Sequence, residues 1–159
     1  MEEKECLKMT GGSGSTDRTV SIRQAAKGDL PFIEENLRKH NFDTENLDYS
    51  QFVIAVENGA IVGFGRLTKA GEMYKIGCVV VVEEKRGHGI GSSIVRHLLE
   101  YSPVKILYVV TDLVDYFKGL GFVEMKEASK ELLDALDEAC KEKGKLNTTL
   151  MVYEKPGPG

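Results

Sequence analysis

Glycines at positions 87, 89 and 91, with Lys85 and Arg86 before them and Ser92 after, lie between the apolar run Val79-Val80-Val81-Val82 and a segment of helical spacing. A helix that begins there leaves its first backbone N–H groups without internal partners, and its dipole adds partial positive charge. Glycines let such a backbone curl into a nest and approach a ligand without side-chain collision. The chemistry that fits is capture of a phosphate or diphosphate by the backbone of this turn, with Lys85 and Arg86 adding formal positive charge at the same place. The alternative is an ordinary surface turn carrying three glycines.

Two familiar phosphate binders are excluded by spacing. A P-loop requires Gly-x-x-x-x-Gly-Lys-Ser/Thr, which does not occur. A dinucleotide fingerprint requires Gly-x-Gly-x-x-Gly with an acidic residue ending a strand about 20 residues on, whereas here the pattern is Gly-x-Gly-x-Gly and that place falls within Val104 to Thr111. Spaced His, Cys or Asp sets for a metal are missing, so no metal is expected. No Gly-x-Ser-x-Gly elbow occurs.

The elements that must position this turn can be read from periodicity. Thr19 to Arg23 alternates as a strand, and Asp29 and Pro31 open a helix with Leu30, Ile33 and Leu37 on one face. Phe52 to Val56 and Ala60 to Leu67 flank Asn58-Gly59, a type I′ hairpin signal. Met73 to Val82 is a strand whose unbroken valine end predicts burial on both faces at the centre of the sheet. A helix follows from Ile90 to Tyr101, with Ile90, Ile94, Val95, Leu98 and Leu99 on one stripe. Then come a strand Val104 to Val110, a short helix capped by Asp112 and reaching Gly119, and a strand Phe122 to Met125. A helix from Ser129 to Gly144 and a strand Thr148 to Tyr153 complete the order. This is an α/β chain, α+β by layers: a mixed sheet with helices on its faces.

The chain has 159 residues, 42% hydrophobic and 29% charged, which suits one domain with one sizeable core. Residues 1–17 read as a disordered leader, 18–155 as the domain, and 156–159 as a frayed tail. The formal charge of −4 argues against nucleic acid as a partner, and no apolar run approaches a membrane span. Three widely spaced cysteines, Cys6, Cys78 and Cys140, write no disulfide framework, and Cys78 and Cys140 fit apolar patterns as small buried residues. His40 and His97 lie on polar faces as solvated residues. The compartment expected is the cytoplasm.

Arg86-x-x-Gly89-x-Gly91 resembles the acetyl-CoA motif of the GNAT superfamily of N-acetyltransferases. Tyr116-Phe117-Lys118-Gly119-Leu120-Gly121-Phe122 is similar to that superfamily's second landmark, and the hairpin with Ile61-Val62-Gly63-Phe64 to its second and third strands. The likeness spans about Thr19 to Tyr153 and implies a mixed, mostly antiparallel sheet of about seven strands with a V-shaped splay between the fourth and fifth. It implies acetyl-CoA as cosubstrate, its pantetheine arm beside Val79, Val80 and Val81 and its diphosphate on Gly87, His88, Gly89, Ile90 and Gly91, with Ser92 opening the helix and Arg86 near the phosphates. A primary amine would attack the thioester directly, with a backbone N–H near Val81 as oxyanion donor. Glu72 is the candidate base. The tyrosine that serves as acid in many members is replaced by Phe117, which leaves Tyr116 as the candidate acid and Phe117 as a cofactor contact.

Tyr116-Phe117 and the late helix carrying Cys140 look most like the small branch that acetylates amino acids, where Arg23, Arg66 or Lys75 would meet a carboxylate. The alternatives are a protein N-terminus, lysine or polyamine as acceptor, and, from another class, a non-catalytic acyl-CoA-binding regulatory module. A homodimer is left open.

Overall fold

A computed structural model describes residues 20–42, 44–126, 130, 132, 134 and 149–156. The expected leader and most of the expected helix from Ser129 to Gly144 fall outside these residues. The observed elements are β1 (Val20–Gln24), α1 (Leu30–Lys39), β2 (Phe52–Glu57), β3 (Ala60–Ala70), β4 (Met73–Val81), α2 (Ile90–Tyr101), β5 (Ile106–Thr111), α3 (Val114–Gly119), β6 (Val123–Glu124) and β7 (Thr149–Glu154). They form one seven-stranded sheet in the order β1-β2-β3-β4-β5-β7-β6. All pairings are antiparallel except β4–β5, which is parallel.

Asn58 and Gly59 take φ of 53° and 78°, the left-handed pair a type I′ hairpin requires. β4 is the fourth strand of the seven, and Val79, Val80 and Val81 are buried. The unbroken valine run thus sits where both faces are covered. On one face, Val79 and Val81 pack with Ile90, Ile94, Val95 and Leu98 of α2. On the other, Phe64, Cys78 and Val80 pack with Ile33 and Leu37 of α1.

β3 approaches α2 closely because Gly65 carries no side chain. A Cβ built there would lie 2.6 Å from Ile94 Cγ2 and 3.3 Å from Leu98 Cδ1. Gly65→Val therefore overpacks the seam that seats α2, with an expected cost of about 2 kcal/mol. Urea unfolding checks it: the midpoint falls while the slope stays unchanged.

Some local expectations are corrected. Asp29 holds the N-cap position of α1, but its carboxylate turns back to accept from the Ala26 N–H at 2.7 Å and from Arg23 at 3.1 Å. That backbone bond holds the Asp29 carboxyl below the usual carboxylate range. Asp112 does not cap α3; the Thr111 hydroxyl instead accepts from Leu113 N–H at 2.9 Å. Cys78 is disulfide-bonded, against the expectation of no disulfide framework. Its partner lies outside the described residues.

Candidate functional site

β4 and β5 pair only at Tyr74↔Leu107 and Lys75↔Tyr108, and beyond that vertex they part. The gap has β4 from Ile76 to Val81 as one wall. Successive N–H groups along a strand point to opposite edges. Val82 N–H donates to Val62 O of β3 at 2.9 Å, so Val81, one residue back, presents its backbone to the gap.

β4 is irregular where the gap begins. Phe64 pairs with Val80 and Arg66 with Gly77, so one residue of β3, Gly65, faces two of β4, Cys78 and Val79. Cys78 takes φ of 52° at this bulge, a conformation few non-glycine residues adopt. Bulges re-aim backbone groups, and this one lies on the β4 wall of the gap.

At its far end the gap meets the glycine turn. β4 runs into a 3-10 turn, Glu83–Lys85, closed by Lys85 N–H to Val82 O at 3.0 Å. Gly87 and Gly89 follow with φ of 85° and 78°, and Gly89 is the N-cap residue of α2 with no side chain capping the helix. The helix thus opens without a cap from its N-cap side chain, and a Cβ at Gly89 would meet nothing within 4 Å, an arrangement suited to anion capture. His88, between the two left-handed glycines, is exposed.

Ser92, in the first turn of α2, is buried, and its hydroxyl lies 2.8 Å from the Tyr116 hydroxyl. This bond ties α3 to the start of α2. Phe117 is a core residue packed edge-on against Phe122, with ring centroids 5.3 Å apart. Tyr116 flanks it at 5.1 Å. The structure thus brings together Val79 to Val81, the turn from Arg86 to Ser92, Tyr116 and Phe117.

It does not bring Glu72 to them. Glu72 is exposed in the turn between β3 and β4, at the opposite end of the nine-residue strand from Val81. At about 3.3 Å per residue it stands roughly 20 Å along β4 from the bulge at Cys78, on the vertex side of the gap. Arg86 is also redirected. Its Nε donates to Val81 O at 3.1 Å, and its Nη2 lies 3.3 Å from His40 Nε2. The guanidinium closes the top of the gap instead of reaching outward.

His40, expected to be solvated on a polar face, joins this network. Its Nδ1 lies 2.8 Å from the Asn36 carbonyl, which can only accept, so Nδ1 carries the proton and Nε2 offers its lone pair to Arg86. Nothing in the spacing links residues 40 and 86.

At the vertex, on the face away from α2, lie two buried cations. Lys75 alternates with Ile76, which packs on the α2 side, and Arg66 projects from β3 over the Phe52 ring at 5.2 Å. Arg66 donates to Gln51 Oε1 at 2.9 Å and to Asn46 O at 3.2 Å. Arg23 is exposed on the edge strand beside Asp29 and takes no part. Among the described residues no group of three or more His, Cys, Asp or Glu could hold a metal, and no helix is long and apolar enough to cross a membrane.

The sequence model of the acetyltransferase (GNAT) family matches residues 19–122. Among solved structures, N-acetylglutamate synthase from Neisseria gonorrhoeae, complexed with coenzyme A and N-acetyl-glutamate, is similar with a TM-score of 0.68 and 20% identity. The match covers 87% of this chain but 36% of that one, so the chain spans little more than a third of that enzyme. Rv2747 from Mycobacterium tuberculosis, in complex with CoA, gives a TM-score of 0.68 at 21% identity over 86% of this chain and 99% of that one. Ard1 from Thermoplasma volcanium gives 0.61 at 16%, over 87% and 99%. No curated protein sequence matches.

Proposed function

The chain belongs to the acetyltransferase (GNAT) family, and on that premise we propose that it transfers an acetyl group from acetyl-CoA to the α-amine of an amino acid. The observation that carries the reading is the parting of β4 and β5 beyond Lys75, which opens toward a helix whose N-cap residue, Gly89, supplies no side-chain cap. The diphosphate sits on the backbone of residues 87–91, and the pantetheine arm lies in the gap along Val79 to Val81, pairing as an added strand would.

The amine nitrogen forms a bond to the thioester carbonyl carbon, the C–S bond breaks, the ammonium proton departs and the thiolate takes up a proton. The bulge at Cys78 and the Val81 backbone are the candidate oxyanion donors. Glu72, in the turn beside the vertex, is the candidate base, and a water chain would also carry the amine's proton.

Arg66 and Lys75 support an acceptor that bears a carboxylate, since two buried cations on one face at the vertex suit an anion. The likeness to a structure containing N-acetyl-glutamate points the same way. The test is thiol release from acetyl-CoA across free amino acids, peptides with a free N-terminus, lysine and polyamines. Release that favours free amino acids is expected. Favoured release on peptides or polyamines transfers the reading to those acceptors.

Phe117 at the place of the usual acid specifically favours a second reading, a module that binds acyl-CoA without transfer. Binding with no thiol release on any amine would establish it. For Tyr116, whose hydroxyl is engaged by Ser92, we expect Tyr116→Phe to lower turnover less than about tenfold. A loss of about 100-fold or more would restore it as general acid.

A further inference from the structure

The formal charges that made the glycine turn look like a phosphate site are turned away from it. Lys85 Nζ lies 2.6 Å from Glu57 Oε1, across from the end of β2, and the Glu57 side chain is 3% exposed. The contact is close enough for an ion pair but not aligned as a directed hydrogen bond. Arg86 is engaged by Val81 O and His40. Val82 N–H, just before the turn, is fixed to Val62 O.

We infer that Glu57 is a positioning residue for the coenzyme: through Lys85 it braces the turn so that the backbone N–H groups of residues 87–91 face the diphosphate before the ligand arrives. Lys85 serves as the other half of the brace and not as a phosphate ligand. This rests on the reading that the turn holds a diphosphate. The physical case is preorganisation. Gly87 and Gly89 sample many backbone conformations, so a turn built from them needs an outside anchor to keep one. A carboxylate buried at the end of β2 supplies it, because in low dielectric it holds the ammonium strongly and cannot be left alone cheaply.

The two roles for Lys85 predict opposite results at Glu57. If the pair is a brace, Glu57→Gln and Lys85→Met each weaken coenzyme A by about tenfold, within the usual range of site coupling. The double variant is then no weaker than either single, since both remove one interaction. Lys85→Arg, which keeps the charge, recovers most of the affinity.

Calorimetric titration with coenzyme A and with pantetheine, which lacks the diphosphate, reads this directly. Thermal unfolding of each variant verifies that it is folded. Weakening confined to coenzyme A, with pantetheine unaffected, is the expected result. Affinity at Glu57→Gln that is unchanged or tighter, beside a loss at Lys85→Met, overturns the brace and makes Lys85 a phosphate ligand. Equal weakening of both ligands also overturns it, as a general loss of structure. A native protein that binds coenzyme A no better than pantetheine refutes instead the underlying reading of the turn.

Discussion

Gly89→Val is expected to weaken coenzyme A by at least about 30-fold, equivalent to about 2 kcal/mol, while the protein stays folded. Gly89 has φ of 78°, and nothing within 4 Å would obstruct a Cβ there, so the protein itself has room for the side chain. The open space is where the ligand must come, and the left-handed backbone adds about 1–2 kcal/mol of strain that favours a different turn. Gly71→Val separates the two contributions. Gly71 has φ of 64° and is equally open, but it lies in the β3–β4 turn, at the other end of β4. It should show a comparable loss in thermal stability and no loss in coenzyme A affinity by calorimetry. Equal affinities in Gly89→Val and the native protein would remove the turn from the site.

Lys75→Met should raise KM for a free amino acid by about 10- to 100-fold, the worth of a charge-assisted hydrogen bond to a carboxylate. KM for acetyl-CoA should hold steady, because Lys75 sits on the face opposite α2. Methionine keeps most of the stem, and a buried cation exchanged for an apolar side chain of similar size need not unfold the protein. Steady-state kinetics with an amino acid and with a simple alkylamine distinguishes the outcomes. A KM that rises equally for both amines, or for neither, removes Lys75 from the acceptor site.

Local signals carried most of the architecture. Asn58-Gly59, the valine run and the glycine spacing each specify conformation through neighbours in the chain, and each element from β1 to β6 lies within a few residues of its expected place. The failures share a different cause. Glu72 precedes the central strand, but nothing local gives its reach toward the gap; it stands exposed in the turn at the vertex end of β4. Arg86 and Lys85 read as free positive charge because their partners, His40 and Glu57, are distant in sequence and arrive only through folding. The bulge was hidden for another reason. A left-handed cysteine inside a strand leaves no compositional mark, and the register slip opposite Gly65 emerges only when β3 and β4 are paired.

The brevity of the β4–β5 pairing divides the sheet mechanically. Four strands on one side and three on the other are stapled by Tyr74↔Leu107 and Lys75↔Tyr108. A molecule wedged between them supplies the missing rungs, turning two ribbons with a common hinge into one continuous sheet. In hydrogen exchange, amides flanking the cleft should therefore slow when coenzyme A binds, while those of the β1–β2 pair, far from the hinge, keep their native rates.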